Sequence, residues 1–139
     1  MQKNKQNIEI VTACIIKHED RILITRSPKW KGQWTVPGGH VEYQERILDG
    51  ATREGLEETG LILNPIKIIG FGEIVNPPEF LRPAHFIYFI CLLECENMDN
   101  LKFNKEISEA KWLPLNEALK LDLTSGHRRI LEQYAKEQN

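Results

Sequence analysis

The pattern of apolar and polar residues predicts a chain built mainly from β-strands. Two β-branched runs at 8–17 and 21–26 are separated by a short polar turn, which is typical of a β-hairpin. Further strands are predicted at 34–36, 61–75, 84–95 and 109–115. The run over 61–75 is interrupted at Asn64-Pro65, so it is compatible with one strand or with two.

Two longer segments change to the spacing of an amphipathic helix. Apolar residues recur at helical intervals over 45–59 and 124–138. Gly60 stands where a glycine cap is expected to end the first helix. The segments 27–39 and 76–83 are rich in Pro or Gly and are predicted to be loops. Strands and helices do not alternate regularly, so the pattern predicts an α/β fold of the α+β type.

Length and composition exclude several classes of protein. The 139 residues fit one ordinary domain, and because no linker or repeat divides them we predict a single domain over 1–139. A formal net charge of −2 is not the basic footprint of a protein that binds a nucleic acid duplex. No run approaches the roughly 18 apolar residues of a membrane span, and the N-terminal residues lack the apolar stretch of a signal peptide. We therefore expect a soluble, cytoplasmic protein whose cysteines, Cys14, Cys91 and Cys95, are reduced core residues.

Acidic residues are concentrated between positions 38 and 61. On a helical wheel Glu57 and Glu58 lie about −60° and +40° from Glu54, so the three carboxylates share an arc of about 100°. A solvated surface is the ordinary explanation for an acidic helix. Like charges at this spacing destabilise a helix, however, whereas hard oxygens on one rigid face suit Mg²⁺ or Mn²⁺ shared with substrate phosphates. We therefore favour a metal site over a solvated surface. The three carboxylates would supply part of the ligands, and a phosphorylated ligand would supply the rest.

The spacing of these residues resembles the Nudix box of the Nudix hydrolases. That signature is Gly, five residues, Glu, seven residues, Arg-Glu, an apolar residue, any residue, Glu-Glu, any residue, Gly and an apolar residue. The chain supplies its letters over 39–61 as Gly39, Glu45, Arg53, Glu54, Glu57, Glu58, Gly60 and Leu61. Gly55 departs from the pattern, because the family usually has an aliphatic residue there. The segments "WTVPGGHVE" and "EAKWLPL" are also similar to the family, so the resemblance extends over most of the chain.

The resemblance implies a Nudix fold, which is an α/β/α sandwich with a central mixed β-sheet and a loop-helix-loop catalytic motif. It implies Mg²⁺, with Mn²⁺ as an alternative, bound by the side chains of Glu54, Glu57 and Glu58 and by the carbonyl oxygen of Gly38. The bound cations would neutralise charge on a nucleotide substrate while water attacks one phosphorus.

Other roles also follow from the resemblance. Arg53 and Glu45 are expected to orient the acidic residues through charge-assisted hydrogen bonds. The general base is open between Glu54 in the box and Glu106, which precedes the predicted strand near the C-terminus. Glu109 lies closer to that strand, and a solvent-facing loop charge is the ordinary alternative for both late glutamates.

Residues outside the acidic helix are weaker candidates for contact with substrate. They are Arg26, Trp30 or Trp34, His40, Phe80 and Arg82. Arg26 ends a predicted strand and is equally compatible with a surface role, and a tryptophan most often packs in the core or at its rim. Phe80 and Arg82 lie in the proline-rich loop, where specificity residues are common. The histidines His18, His85 and His127 have no partners at ligand spacing and are interpreted as ordinary.

Two functions from different classes follow. The first is a Mg²⁺-dependent pyrophosphohydrolase acting on a nucleoside diphosphate linked to another group, foremost an ordinary or oxidised nucleoside triphosphate that yields the monophosphate and pyrophosphate. ADP-ribose or another nucleotide sugar is the alternative substrate. The second is a non-catalytic module that senses nucleotides or binds other proteins, which would be expected to lose ligating carboxylates that this chain retains. The sequence shows no exposed apolar stripe that would identify an interface, so it does not decide between a monomer and a homodimer.

Overall fold

The computed structural model describes residues 6–138. Its strands are β1 (Ile8–His18), β2 (Arg21–Arg26), β3 (Trp34–Thr35), β4 (Gly38–His40), β5 (Leu63–Val75), β6 (His85–Cys95) and β7 (Glu109–Leu113). Its α-helices are α1 (Ile47–Thr59), α2 (Leu115–Ala118) and α3 (Ser125–Glu137). Two short 3-10 turns lie at Pro28–Trp30 and Met98–Asn100. No helix within 6–138 has the length and apolar character needed to cross a membrane.

The strands within residues 6–138 form one mixed sheet. Its main path runs β3-β2-β1-β6-β5, while β4 pairs with β1 and β7 pairs with β2. β1 and β6 are parallel, and the other strand pairs are antiparallel. The predicted hairpin of β1 and β2 and the predicted mixed sheet are both confirmed.

Alternation along β1 divides the core between the two faces of the sheet. Ala13 and Ile15 belong to the cluster that packs against α3, whereas Cys14 and Ile16 belong to the cluster that packs against α1. The three predicted core cysteines, Cys14, Cys91 and Cys95, are buried, unpaired and on the α1 side. Helices cover both faces, so the expected α/β/α sandwich is confirmed.

The helix α1 begins two residues later than predicted. Glu45 instead closes a turn with Glu42, whose carbonyl accepts its N–H at 3.0 Å. The end is as predicted: Gly60 adopts a left-handed φ of 74° and its N–H donates to the carbonyl of Leu56. Leu56 on α1, although apolar, is 49% exposed.

Glycine at the position where the box usually has an aliphatic residue has a packing reason. Gly55 is buried in α1, and an added Cβ would collide with the side chain of Leu63 on β5. The helix therefore approaches the sheet more closely than a larger residue would allow.

One strand prediction needs correction, and one open alternative is decided. Gly38 and Gly39, which were predicted to lie in a loop, belong to the strand β4. This strand pairs antiparallel with residues 11–13 of β1. The break at Asn64-Pro65 does not divide β5, because β5 is an edge strand and register shifts near Pro65 and Ile68 accommodate the missing donor.

The exposed surface of the edge strand also differs from the sequence-based expectation. Apolar side chains that the sequence did not show as a stripe are exposed along β5, namely Ile66, Ile68, Phe71 and Val75. The sequence alone could not show this exposure, because it depends on the position of β5 at the edge of the sheet.

Candidate active site

The guanidinium group of Arg53 organises the acidic face of α1. Its Nε and Nη2 atoms donate to the two carboxylate oxygens of Glu45 at 2.8 and 3.0 Å. Nη2 also donates to the carbonyl of His40 at 2.9 Å. Nη1 donates to both Glu54 and Glu57, each at 3.2 Å. All five guanidinium protons are therefore used, and one side chain fixes two carboxylates of α1 relative to the preceding loop.

Glu45 is an ionised support for this arrangement. The hydrogen bonds from Arg53 and from the backbone N–H of Glu42 lower the pKa of Glu45 to about 2. Reciprocally, the bonds to Glu45 raise the pKa of Arg53. An added Cβ on Gly50 would lie only 3.0 Å from the Glu45 carboxylate, so glycine provides the room for this contact.

Glu58 is the most buried of the three carboxylates on the predicted arc. It is only 4% exposed, and its Oε1 accepts the N–H of Gly38 at 3.3 Å. Burial raises its pKa to about 8, the charge of Lys29 opposes this shift, and the nearby charge of Glu54 adds to it. Burial also raises the pKa of Glu54, against the opposing effect of Arg53. Glu58 is thus a buried acid with one weak hydrogen bond and no adjacent cation strong enough to hold it ionised at neutral pH.

The glycines of β4 allow the sheet to approach these carboxylates. A Cβ on Gly39 would collide with the carboxylate of Glu54, and a Cβ on Gly38 would collide with the carbonyl of Thr12 on β1. A side chain at position 38 would therefore push β4 away from β1, whereas one at position 39 would displace the Glu54 carboxylate. The backbone of Gly38, the proposed source of a ligating carbonyl, does lie beside Glu58.

The acidic residues fit a divalent cation by their chemistry. Within residues 6–138 no three His, Cys, Asp or Glu side chains already converge as a preformed cluster, because Glu54 and Glu57 are drawn to Arg53 Nη1. The Glu57 side chain is 55% exposed and held by one contact with Arg53, whereas Glu58 is buried and has no ion-pair partner among residues 6–138. Hard oxygen donors around an uncompensated carboxyl are what Mg²⁺ or Mn²⁺ prefers.

A cavity of about 100 Å³ opens beside Glu58 between the sheet and α3. The solvent-accessible polar side chains of Lys29, His40 and Glu106 mark its mouth, and the buried Ser27 and Glu58 also line it. The Nζ atom of Lys29 is 2.6 Å from Oε1 of Glu106. The charge of Glu106 also contributes to raising the pKa values of Glu54 and Glu58, after burial as the largest cause. The structure therefore brings Glu106 to the acidic face of α1, across a long sequence separation.

The interior of the cavity is aromatic. Trp30 packs against Phe80 with ring centroids 4.4 Å apart, and Phe80 meets Phe86 edge to face at 5.2 Å. His127, at the start of α3, meets Trp30 at 4.9 Å with the ring planes almost perpendicular. Such walls suit a planar ring. Trp30, one of two tryptophans considered from the sequence, is the one that lines this cavity.

The proline-rich loop is held at the cavity by an ion-pair network. Arg82 donates to both carboxylate oxygens of Glu9 at 2.8 Å, and Nε2 of His40 lies 2.6 Å from the same carboxylate. These contacts, led by the hydrogen bond from Arg82, lower the pKa of Glu9 to about 2. Arg82 also lies over the ring of Phe80 at 5.2 Å. The network fixes Phe80 as a wall of the cavity.

Two sequence candidates lie elsewhere. Arg26 pairs with Glu109 at 3.0 Å, donates to the carbonyl of Gly32, and lies over the ring of Trp34 at 5.2 Å. Trp34 is buried in the core. Neither Arg26 nor Trp34 lines the cavity, and their observed contacts are structural.

The sequence reasoning missed three residues of this region. Glu9 and Phe86 lie on neighbouring strands, where no local motif marks them. His127 was interpreted as ordinary, although Thr124 three residues earlier offered a signal, because threonine at a helix start caps the N–H three positions on.

Sequence comparison assigns the chain to a family. The NUDIX domain family profile matches residues 8–134. An uncharacterised Nudix hydrolase, YvcI of Bacillus subtilis, is 27% identical over 126 residues, covering 90% of this chain and 78% of the relative. Nudix hydrolase 6 of Arabidopsis thaliana is 37% identical over 89 residues, covering 64% of this chain. That match spans only 31% of the length of the plant protein.

Structural comparison agrees with this assignment. The crystal structure of a MutT protein from Methanosarcina mazei Go1 superimposes with a TM-score of 0.79 and covers 99% of both chains at 22% sequence identity. At that identity the likeness shows the fold, which is the fold that the family resemblance implied. With the family profile covering nearly all of the chain, the protein belongs to the Nudix hydrolase family, whose members act on pyrophosphate bonds.

Proposed function

We propose that this chain is a single-domain, Mg²⁺-dependent pyrophosphohydrolase acting on a nucleoside triphosphate, ordinary or oxidised, to give the monophosphate and pyrophosphate. One observation carries the proposal: the buried carboxyl of Glu58, which has no ion-pair partner among residues 6–138, lines an aromatic cavity, on the same helix as the carboxylates that Arg53 organises. A cation site and a site for a planar ring are thus adjacent, as a nucleotide requires.

The metal-binding part of the proposal uses residues already close together. Glu54, Glu57, Glu58 and the carbonyl of Gly38 would hold Mg²⁺, or Mn²⁺ in its place. When bound, the cation supplies positive charge against the anionic diphosphate. The Arg53–Glu45 pair keeps the carboxylates of Glu54 and Glu57 on this face of α1, from which they can turn to a bound cation.

The reaction is an attack of water on one phosphorus of the diphosphate bridge. The new P–O bond forms as the bond to the bridging oxygen breaks, and the bridging oxygen leaves with the departing phosphate group. Glu54 is the favoured acceptor of the water proton, because burial raises its pKa and so makes its carboxylate a stronger base. Glu106 is tied to Lys29, so we assign it the supporting role of positioning that ammonium group at the mouth.

A nucleotide sugar such as ADP-ribose is the alternative substrate. The NUDIX domain of Shewanella oneidensis NrtR, which was crystallised with ADP ribose, shares the fold with a TM-score of 0.73 at 15% identity. The cavity supports a planar ring in either substrate and does not favour the second group. The non-catalytic alternative is disfavoured because every carboxylate of the box is present.

Purified protein tested against a panel of triphosphates and nucleotide sugars decides among these functions. Phosphate is measured after adding inorganic pyrophosphatase, with Mg²⁺ and with EDTA. We expect turnover only with Mg²⁺, and Glu57→Gln should lower kcat by about 10²- to 10⁴-fold while folding is retained. Asp49→Asn, an exposed acid on the same helix, is the matched control and should retain full activity. An absence of turnover across the panel would refute the enzymatic proposal.

A further inference from the structure

His127 and Thr124 form a buried pair at the start of α3. Oγ1 of Thr124 accepts the backbone N–H of His127 at 3.0 Å and lies 2.6 Å from Nδ1 of the same residue. Thr124 is fully buried, and within residues 6–138 Nδ1 is the acceptor available to its hydroxyl proton. Because a buried hydroxyl donates where it can, Thr124 donates to Nδ1. In a neutral imidazole the ring proton is then on Nε2.

The imidazole of His127 is neutral near pH 7. The residue is only 7% exposed, and burial lowers its pKa to about 4, with the charge of Glu79 opposing the shift. A neutral ring with Nδ1 occupied offers one donor, the Nε2–H group.

That donor belongs to a ring that lines the aromatic cavity. Among residues 6–138 the Nε2 atom has no hydrogen-bond partner. The described part of the chain has one side-chain polar atom that is shut off from solvent without a partner, and it is Oε1 of Glu79 rather than Nε2 of His127. Nε2–H is therefore accessible from the cavity, on a side chain that is more than nine-tenths buried.

Building on the proposed function, we propose that Nε2–H of His127 recognises a carbonyl oxygen on a nucleobase bound in the aromatic cavity. Trp30, Phe80 and Phe86 pack together as an aromatic surface against which a planar ring can lie, and His127 beside them provides a single donor. An N–H group of this kind donates to a carbonyl oxygen. It cannot pair with an exocyclic amino group, which is itself a donor. His127 is thus a specificity residue that favours bases with an oxo group at that edge, such as guanine, hypoxanthine or uracil.

Paired substrates that differ at the carbonyl test the assignment. Steady-state kinetics with Mg²⁺ are compared for deoxyguanosine triphosphate and for the triphosphate of 2-aminopurine deoxyribonucleoside, which lacks the 6-oxo group. Uridine triphosphate and pyrimidin-2-one riboside triphosphate, which lacks the 4-oxo group, form a second pair. For at least one pair the wild-type protein should favour the oxo substrate by about tenfold in kcat/KM, mainly through KM, as expected for one hydrogen bond.

The variants separate recognition from a structural role. His127→Leu should abolish the preference by weakening the oxo substrate alone, and His127→Gln, whose amide can donate, should restore part of it. Thr124→Val removes the group that fixes the tautomer and should give an intermediate preference. His85→Leu, a histidine outside the cavity, is the matched control and should leave the preference unchanged.

Two results would overturn the inference. One is a wild-type protein with no oxo preference in either pair. The other is a His127→Leu protein that retains the preference, or that loses activity equally on both members of a pair although circular dichroism shows it folded. If His127→Leu does not fold, the same comparison in His127→Gln and Thr124→Val decides.

Binding measurements keep this inference distinct from the proposed function. Binding of non-hydrolysable α,β-methylene analogues of the same pairs is followed by tryptophan fluorescence. If the wild type turns over no substrate, the proposed function fails. The oxo preference in binding, and its loss in His127→Leu, then still supports or overturns the role of His127.

Discussion

Replacement of Glu58 by glutamine should stabilise the metal-free protein at and above neutral pH. Burial raises the pKa of Glu58 from 4.5 to about 8, so the folded protein binds this proton more tightly than the unfolded chain. Its contribution to stability is full below about pH 4.5 and is lost as the pH rises through 8. The carboxyl is 4% exposed, so solvent screens this effect little.

The pKa difference sets the size of the effect. At pH 7 it corresponds to a loss of about 3 kcal/mol in the free energy of unfolding relative to pH 4. Glutamine has nearly the same shape, and its carbonyl can still accept the N–H of Gly38, but it has no charge to desolvate. The free energy of unfolding of the variant should therefore exceed that of the wild type by most of this amount at pH 7. At pH 5 the two proteins should differ little.

Urea unfolding in EDTA at pH 5, 7 and 8 measures this difference. Glu58→Gln is compared with the wild type and with Asp49→Asn, which should follow the wild type at each pH. Adding Mg²⁺ should then raise the melting temperature of the wild type and leave that of Glu58→Gln almost unchanged, because a bound ligand stabilises only a protein that can bind it. A Glu58→Gln protein that is no more stable than the wild type at pH 8 would refute the reasoning.

Three further predictions test other parts of the site. Arg53→Lys should lower kcat by about 10- to 100-fold, because an ammonium group cannot make the five bonds of the guanidinium; a kcat within twofold of the wild type would contradict this role. Gly39→Ala should displace the flexible carboxylate of Glu54, lowering kcat at least tenfold while urea unfolding changes by less than about 1 kcal/mol. Burial lowers the pKa of His127 from 6.5 to about 4 on folding. The free energy of unfolding of the protein should therefore fall by about 3 kcal/mol as the pH falls from 6.5 to 4. Urea unfolding of His127→Gln should lack that slope.

Local patterns were sufficient to predict most of the elements. Runs of β-branched and aromatic residues located the hairpin and β6, and the glycine cap located the end of α1 at Thr59. The helical wheel placed Glu54, Glu57 and Glu58 on one arc, but it could not show that Glu58 is buried and Glu57 exposed. That difference depends on the distance between α1 and the sheet, which the glycines on both elements determine.

The cavity could not be predicted from spacing. Its aromatic walls come from a 3-10 turn, a proline-rich loop, a strand and a helix, and they meet only in the folded chain. Gly38–His40 was misjudged for a related reason: glycine has low strand propensity, and pairing with β1 overrides it. Arg26 and Trp34 were reasonable candidates at a strand end, and only the contacts of the folded chain place them outside the cavity.

A crystal of the protein with Mn²⁺ and a non-hydrolysable triphosphate analogue tests the central claim most directly. Anomalous diffraction locates the metal independently of the protein atoms. We predict a peak within about 2 Å of oxygens of Glu57 and Glu58, in contact with phosphate oxygens, and the base in the cavity that Trp30 and Phe80 line. A metal bound elsewhere, with Glu57 still paired to Arg53, would contradict the account.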